Sequence, residues 1–204
     1  MIAIIDYGLG NLKSVAGAIE KTGYKPIITS KQSEIDNSEK IILPGVGAFS
    51  EGIKNLKKFE LFTVLSNNVL KQKKPILGIC LGAQLLAKIS YEFGQHEGLG
   101  YIEASVDKLE TNDQKLRIPH VGWNELFQKQ KSILFEDISD NSLFYFVHSY
   151  ILNCYNKEIV IGESKYGKQF TAAFQQDNIY GTQFHPEKSQ LEGIRLLKNF
   201  LDYA

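Results

Sequence analysis

Cys80 stands in a setting that can turn a cysteine into a nucleophile. It is the centre of Gly78-Ile79-Cys80-Leu81-Gly82, a G-x-C-x-G arrangement with an apolar run on either side. This is the cysteine form of the nucleophile elbow, a sharp turn between a strand and a helix. The glycines allow close backbone packing, the helix N-terminus favours a thiolate, and the N–H of Leu81 could stabilise an oxyanion. Without partners, a small buried apolar cysteine is an equally good interpretation.

A histidine and a carboxylate near the other end of the sequence could complete such a site. Thr182-Gln183-Phe184-His185-Pro186-Glu187 is an apolar, strand-like approach to His185, and Glu187 follows two residues later. A thiol nucleophile needs a base that takes its proton, and the base needs a group that fixes its tautomer. Residues i and i+2 of an extended segment face the same side, so Glu187 can reach the His185 ring. Alone, the pair could equally be exposed after an edge strand; together with Cys80 it predicts a catalytic triad.

A glycine-rich loop could supply a second oxyanion donor. Leu43-Pro44-Gly45-Val46-Gly47 follows the apolar run Lys40–Leu43. Loops at the carboxyl ends of parallel strands converge on one crevice, so this loop can face Cys80. We therefore expect a backbone N–H of Val46 or Gly47 to act with that of Leu81. The alternative is an ordinary strand-to-helix turn.

The elements that must position these residues alternate between strands and helices. Short apolar runs and amphipathic stretches in the first half are typical of βα units and a largely parallel sheet. Expected strands are Met1–Tyr7, Pro26–Thr29, Lys40–Leu43 and Lys74–Ile79, and expected helices are Asn11–Thr22, Gly52–Asn68, Leu81–Ile89 and Gly193–Asp202. Alternating runs in the second half predict added antiparallel strands at Ile102–Leu109, Ser142–Asn153, Ile159–Ser164 and Thr171–Gln175. Residues 1–204 are thus predicted to form one α/β domain.

Composition excludes several classes of protein. The 204 residues are 43% hydrophobic, and Lys+Arg and Asp+Glu both total 23, so no basic excess favours nucleic acid or an anionic membrane. There is neither a signal-peptide pattern nor an apolar stretch of about 20 residues. The two cysteines, Cys80 and Cys154, lie outside any metal-ligand spacing. We expect a cytoplasmic protein without disulfide, metal or cofactor, in which Cys154, His96 and His120 are structural or exposed.

These motifs closely resemble the class I, triad-type glutamine amidotransferases, over almost the whole chain. The matching segments are Ile5–Asn11, Pro44–Phe49, Gly78–Gly82, Pro119–Asn124, Phe146–Tyr150 and Gly181–Ser189. Within the family the likeness is greatest to the glutaminase subunits of imidazole glycerol phosphate synthase, which serve histidine biosynthesis. The resemblance implies a three-layer α/β/α fold and hydrolysis of L-glutamine. Cys80 would attack the carboxamide, His185 would protonate the departing ammonia, and water would hydrolyse a glutamyl thioester.

The resemblance also implies a pocket and a partner. The residues expected to line the glutamine pocket are Gly45, Gln84, Glu92, His148, Ser149 and Tyr150. In the family the partner is a (β/α)8-barrel cyclase or synthase subunit, joined in a heterodimer, through which ammonia reaches a nucleotide-derived substrate. The residues that match positions near that interface are Asn11, Trp123, Tyr145 and Lys188. By residue type alone, Asn11 could instead cap a helix, Trp123 and Tyr145 could lie in the core, and Lys188 could be a solvated charge.

A few departures from the family pattern leave the pathway open. Ala83 stands where Met is usual, and Tyr91–His96 and Glu103–Ser105 differ from the expected segments. Similar subunits supply ammonia for amidination of bacterial surface sugars, and no residue separates that alternative. A non-catalytic regulatory subunit is a further interpretation, but the intact Cys80 and His185 argue against it. A general cysteine hydrolase is another, and the match at Gln84 argues for glutamine instead.

Overall fold

A computed structural model describes residues 1–204, with fourteen strands and six α-helices. The strands are β1 Ile2–Ile5, β2 Pro26–Thr29, β3 Lys40–Gly45, β4 Ile76–Cys80, β5 Ala87–Ser90, β6 His96–Glu97, β7 Ile102–Lys108, β8 His120–Glu125, β9 Phe127–Gln128, β10 Leu143–His148, β11 Tyr150–Cys154, β12 Val160–Tyr166, β13 Lys168–Gln176 and β14 Ile179–Thr182. The helices are α1 Leu12–Lys21, α2 Gln32–Asp36, α3 Phe49–Lys58, α4 Leu61–Ser66, α5 Leu81–Leu85 and α6 Gln190–Tyr203. A π-helical turn, Asn67–Lys71, follows α4, and single 3-10 turns lie at Ile133–Phe135, Lys157–Ile159 and Pro186–Lys188.

The centre of the large sheet is parallel. Its strands run in the order β2-β1-β3-β4-β14, and each adjacent pair among these five is parallel. Beyond β14 the sheet continues through antiparallel pairs to β13, β11 and β7, and β5 then pairs with β7 in parallel. The carboxyl ends of β3 and β4 are therefore neighbours, which brings the loop after Gly45 beside Cys80.

Helices cover both faces of this sheet because its strands are apolar on both faces. Ala3 and Ile5 of β1 join a core that includes residues of α3, α4 and α5. Ile2 and Ile4 point the other way and join a core with residues of α1 and α6. An unbroken apolar strand of this kind is typical of a parallel sheet between two helical layers. The predicted α/β/α architecture, with antiparallel strands added to a parallel centre, is confirmed.

β8 and β10 form a separate antiparallel pair, which we call the β8–β10 ribbon. Its sequence alternates as a half-buried ribbon should. Phe144, Phe146 and His148 of β10 are buried against the core. The intervening residues, among them Leu143 and Tyr145, face outward and are exposed or half-buried.

Three predicted elements differ from the observed ones. The predicted helix Leu81–Ile89 ends at Leu85, and Ala87–Ser90 is a strand, because residues 99–102 donate hydrogen bonds to the carbonyl groups of residues 85–87. A wholly buried apolar run does not distinguish helix from strand. The predicted helix Gly52–Asn68 breaks at Glu60, which has a left-handed backbone (φ 58°), and α4 begins in a new direction.

The third difference creates a wall of the site described below. The predicted strand Ser142–Asn153 is two strands, β10 and β11, which pair in different sheets and are separated at Ser149. The short helix α2 was not predicted.

None of the six helices combines the length and apolarity that crossing a bilayer requires.

Close backbone approach at the β4–α5 turn depends on two glycines. A Cβ on Gly78 would lie 2.6 Å from the Cα of Ala83, and a Cβ on Gly82 would overlap the carbonyl oxygen of Leu43. The turn, β3 and α5 therefore pack at distances that only glycine allows.

We expect Gly82→Ala to destabilise the protein by about 3 kcal/mol, because a main-chain carbonyl cannot move aside as a flexible side chain can. Gly17→Ala is the control, since a Cβ at Gly17 of α1 meets no atom within 4 Å and should stabilise the helix by about 0.5–1 kcal/mol. Urea unfolding of both variants measures the difference. Equal stabilities would show that the turn can relax.

Candidate active site

Cys80 has the backbone expected of a nucleophile elbow. It is the last residue of β4 and precedes α5, with φ 53° and ψ −111°. Residues other than glycine rarely adopt a positive φ, and the cost is about 1–3 kcal/mol. The side chain is nearly buried, at 7% exposure, but borders an open cavity.

His185 and Glu187 form the histidine–carboxylate pair that was predicted. The Nδ1 of His185 lies 2.8 Å from an Oε of Glu187, and both side chains are almost completely buried, at 2% and 1% exposure. The main chain of His185 is held by its N–H, which donates to the Tyr145 carbonyl, and by Ser189 Oγ, which donates to its own carbonyl. The second ring nitrogen, Nε2, has no hydrogen-bond partner.

The charge environment favours a protonated His185. Burial lowers the pKa of this imidazole, but the Cys80 sulfur and the Glu187 carboxylate outweigh burial and raise the pKa to about 10. The sulfur is close enough to exert this effect although Nε2 makes no hydrogen bond of normal geometry. Catalytic hydrogen bonds are often long in proteins without substrate and shorten when it binds. The arrangement suits a protonated imidazole beside the Cys80 sulfur.

Two further groups contact the Cys80 sulfur. The Sγ atom lies 3.8 Å from the main-chain carbonyl oxygen of Val147, to which the S–H group can donate a hydrogen bond. The side-chain Nε2 of Gln183 donates to Sγ at 3.7 Å. The thiol is therefore flanked by one acceptor and one donor in addition to His185.

The predicted oxyanion loop lies opposite the elbow. Gly45 is paired with Cys80 in the β3–β4 register, and Val46 and Gly47 follow it. The backbone N–H groups of Val46 and Gly47 form no hydrogen bond within the chain, and both residues line the cavity at Cys80. Gly47 has φ 111°, a conformation that favours glycine.

The side chain of Tyr7 supports the loop of Val46 and Gly47 through a hydrogen bond to Pro44. Its hydroxyl donates to the Pro44 carbonyl oxygen at 2.8 Å, and a Cβ on Gly45 would collide with that hydroxyl. Burial, with a contribution from the Cys80 sulfur, raises the pKa of Tyr7 far above its usual range. The phenol therefore remains a hydrogen-bond donor, and only glycine fits at position 45.

The cavity beside Cys80 has a volume of about 410 Å³. Its lining residues are Val46, Gly47, Cys80, Leu81, Gln84, Glu92, Pro119, Val147, His148, Ser149, Tyr150 and Lys188. Five of the six residues expected to line the glutamine pocket are thus brought together here. The sixth, Gly45, is buried and does not line the cavity.

Two of these lining residues also have their polar atoms engaged within the protein. Glu92 accepts a hydrogen bond of 2.6 Å from the N–H of Phe49, the first residue of α3. Gln84 Nε2 donates to the Tyr150 carbonyl and to Gln183 Oε1, both at 3.0 Å. Their hydrogen bonds thus hold the walls of the cavity together.

A pair of buried histidines supports the wall formed by residues 148–150. His148 Nδ1 lies 3.0 Å from the Tyr150 carbonyl oxygen, so it must carry the proton, because a carbonyl only accepts. Burial, with the nearby His120, lowers the pKa of His148 to about 3, so its Nε2 is an acceptor. His120 Nδ1, 3.0 Å away, must then donate to it. Asn124 Nδ2 lies 3.3 Å from His120 Nε2 and can donate to it. The hydrogen bonds are therefore all donated in the same direction, from Asn124 to His120, from His120 to His148 and from His148 to the Tyr150 carbonyl.

His120 was expected to be structural or exposed, and it is structural. It is 2% exposed and stacks on the rings of Tyr166 and Phe146, with centroids 4.0 and 5.0 Å away. Burial lowers its pKa to about 4. The expected packing role of Cys154 also agrees with its complete burial, which raises the pKa of its thiol to about 11. His96 lies half-buried in β6.

A larger hollow, of about 840 Å³, is bordered by β8 and has no cysteine in its lining. His120, Trp123 and Lys165 are among its lining residues. The smaller cavity is the candidate active site, because Cys80 and the predicted oxyanion loop line it.

The residues matched to a partner interface mostly gather at one surface. Trp123 and Tyr145 face each other across the β8–β10 ribbon, with ring centroids 6.1 Å apart, and Lys188 Nζ lies 5.6 Å from the centroid of Tyr145. Trp123 is 44% exposed, so the core interpretation of this residue is wrong. Asn11 is at the N-cap of α1, but its side chain makes no capping hydrogen bond.

Sequence reasoning missed several residues that border the sulfur or support its surroundings. Tyr7 and Gln183 were quoted only as parts of motifs, and Val147 acts through its main chain, which no side-chain pattern reveals. An amide side chain next to Phe184, in the strand-like approach to His185, was the available signal for Gln183.

Comparison with known proteins gives a consistent result. The family model described as "Glutamine amidotransferase class-I" matches residues 3–203. A relative named "Imidazole glycerol phosphate synthase subunit HisH 1" from Campylobacter jejuni is 50% identical over 98% of both chains. One named "Imidazole glycerol phosphate synthase subunit HisH 2" from Methanococcus maripaludis is 46% identical over the whole of both chains.

Solved structures agree on the fold. A structure described as a glutamine amidotransferase superposes with a TM-score of 0.77 at 18% identity, covering 98% of this chain and 97% of the other. A chain of PurLQS from Thermotoga maritima gives 0.76 at 19% identity, covering 99% and 97%. With the family model spanning nearly all 204 residues and relatives close to half identical over their full lengths, the chain belongs to the class I glutamine amidotransferase family.

Proposed function

We propose that Cys80, His185 and Glu187 form the catalytic triad with which this chain, as one domain of residues 1–204, hydrolyses L-glutamine to glutamate and ammonia. The observation that carries the proposal is the proximity of a strained cysteine, which borders the cavity, to a buried histidine–carboxylate pair from the other end of the sequence. Such a combination matches the nucleophile, base and orienting group of covalent acyl transfer.

The first half-reaction releases ammonia. The thiol proton first passes to His185 Nε2, whose raised pKa favours the transfer, and the Cys80 sulfur then attacks the side-chain carbonyl carbon of glutamine. The carbonyl oxygen becomes an oxyanion, for which the N–H of Leu81 and the free N–H of Val46 or Gly47 are the available donors. His185 then gives its proton to the amide nitrogen, the C–N bond breaks, and ammonia leaves a glutamyl thioester on Cys80.

The second half-reaction uses the same histidine in reverse. His185 takes a proton from water, the resulting hydroxide attacks the thioester carbon, and the C–S bond breaks to yield glutamate. Glu187 keeps the Nδ1 of His185 protonated throughout, at 2.8 Å, so that Nε2 is the nitrogen that exchanges protons. Reprotonation of the sulfur by His185 restores the starting state.

We propose further that the ammonia passes to a (β/α)8-barrel synthase subunit that makes imidazole glycerol phosphate in histidine biosynthesis. The names of the relatives, from Campylobacter jejuni to Methanococcus maripaludis, support this pathway. A heterodimer, ammonia channelling and a cytoplasmic location are parts of the same proposal. Transfer of ammonia to a surface sugar remains the competing outcome of the tests below.

An exposed apolar surface beside the cavity supports docking of such a partner. The outward face of the β8–β10 ribbon includes Val121, Trp123 and Leu143, which are 55%, 44% and 50% exposed. Leu191, at the start of α6, is 83% exposed and lines a hollow together with Trp123. Contiguous apolar side chains of this kind mark protein interfaces, and Trp is enriched among the residues that dominate binding.

Cys80→Ala should reduce glutamate release by at least about 10⁴-fold, because the variant cannot form the thioester. The assay measures glutamate in the presence of the barrel subunit and its nucleotide substrate. Cys154→Ala is the matched control and should retain activity, since that thiol is buried in β11 away from the cavity. Unchanged turnover in Cys80→Ala would reject the triad.

The pKa of His185 should fall in Cys80→Ala, by about 1 pH unit or more, because the sulfur helps to raise it. NMR titration of the imidazole nitrogens can follow the four histidines separately. His120 and His148 should remain neutral down to about pH 5 in both proteins, and Cys154→Ala should leave His185 unchanged. An unchanged His185 titration in Cys80→Ala would mean that the sulfur and imidazole do not interact.

Trp123→Ala should weaken binding of the barrel subunit about 30-fold, the effect of losing one dominant interface residue. Calorimetric titration gives the affinity, and glutamate release during the same titration shows whether partner binding activates the site. Tyr155→Ala, at an aromatic residue that is 53% exposed but outside the ribbon, is the control. Equal affinities of the two variants would place the interface elsewhere. Formation of imidazole glycerol phosphate by the complex would identify the pathway.

A further inference from the structure

We propose that Gln183 is a catalytic residue that stabilises the Cys80 thiolate by donating a hydrogen bond from its side-chain amide, and that Gln84 fixes the direction of that amide. This inference rests on the proposed function and extends it, because it assigns a fourth group to the reacting sulfur. Gln183 Nε2 lies 3.7 Å from Sγ, within the range of hydrogen bonds to sulfur. The side chain is completely buried, at 0% exposure.

The amide can present its nitrogen to the sulfur in only one way. The Tyr150 carbonyl oxygen only accepts, so the Gln84 atom 3.0 Å from it must be the nitrogen. That same nitrogen lies 3.0 Å from the Gln183 side chain, whose facing atom must therefore be the oxygen. The other end of the Gln183 amide, the NH₂ group, is thereby directed at Cys80. The main chain of one residue thus determines which group meets the nucleophile.

The Tyr150 carbonyl is itself fixed from its other side. It accepts from Nδ1 of His148, whose Nε2 in turn accepts a hydrogen bond from His120. The carbonyl therefore has two donors and no freedom to turn toward the sulfur. A continuous series of buried and partly buried hydrogen bonds connects Asn124 of β8 with Sγ. It runs through His120, His148, the Tyr150 carbonyl, Gln84 and Gln183.

The two groups that contact Sγ besides His185 favour opposite protonation states. The Val147 carbonyl, 3.8 Å away, accepts from a thiol and repels a thiolate. The Gln183 N–H stabilises a thiolate and gains strength when the sulfur becomes charged. The amide thus offsets the carbonyl when the proton moves to His185. It also remains in place when the thioester is cleaved and the thiolate leaves the acyl carbon.

The test measures the reactivity of the Cys80 thiol in the full-length chain, with Cys154→Ala as background so that one cysteine remains. Iodoacetamide is the probe, and the alkylation rate is recorded against pH for the background protein and for Gln183→Met, which keeps the side-chain length but cannot donate. We expect the rate at pH 7 to fall about tenfold and the midpoint of the profile to rise by about 1 pH unit. The limiting rate at high pH should not change, since access to the sulfur is the same.

Gln84→Met tests the orienting role and does not depend on the folding of Gln183→Met. Without the Gln84 donor, the Gln183 amide can turn, so the midpoint should rise in the same direction. The double variant should lie no higher than Gln183→Met alone, because the two residues act in series. Gln176→Met, at the end of β13, is the control and should leave the profile unchanged.

Different outcomes would contradict the role of Gln183 and the proposed function of the chain. A profile that does not move in Gln183→Met or in Gln84→Met rejects the hydrogen bond, and additive shifts in the double variant reject the orienting role. Absence of glutamate release by the unsubstituted chain with its partner rejects the proposed function, whatever the alkylation profile. In the active complex we expect Gln183→Met to lower kcat about tenfold with little change in KM, because the donor contacts the sulfur rather than the substrate.

Discussion

The site depends on the close approach of β3 to the turn between β4 and α5. Gly78 and Gly82 let the main chain pass where a Cβ would meet Ala83 or the Leu43 carbonyl. This packing holds Cys80 at φ 53° and points its sulfur out of the sheet. It also brings Val46 within reach of the same cavity, because the register places Gly45 opposite Cys80. The candidate nucleophile and the predicted oxyanion loop thus both depend on a single backbone contact.

The sheet supplies the second constraint, since it brings the two ends of the chain together. β14 lies beside β4 in parallel, so the residues that follow Thr182 emerge at the same edge as Cys80. Phe184 is buried among the aromatic rings of β10, and Gln183 and His185 on either side of it point toward the sulfur. The alternation of an extended segment therefore directs two polar groups to one atom.

Some parts of this site were predictable from the sequence because they depend on local geometry. The elbow has its glycines at fixed spacing, and Glu187 reaches His185 because two residues of extended chain suffice. The strand Ala87–Ser90 was not predictable, because its partners at residues 99–102 compete with a helix that the local pattern equally allows. Gln183 and His120 are similar cases. Their roles follow from partners 99 and 28 residues away, Gln84 and His148, which no local pattern connects.

In the proposed function, the inner face of the β8–β10 ribbon supports the cavity and its outer face binds the partner. Its inner face holds His120, Phe146 and His148, which fix the cavity wall. On its outer face Trp123 and Tyr145 lie where a partner could dock, and Val147, two residues after Tyr145, contacts the sulfur through its carbonyl. The main-chain N–H of His185 donates a hydrogen bond to the carbonyl oxygen of the same Tyr145. The carbonyl groups that accept hydrogen bonds from the Cys80 thiol and from the His185 main chain both belong to β10. A protein bound to the ribbon would therefore contact the strand that holds both groups. In the proposed function, the candidate site and the proposed docking surface share β10, so coupling between them would require no long pathway.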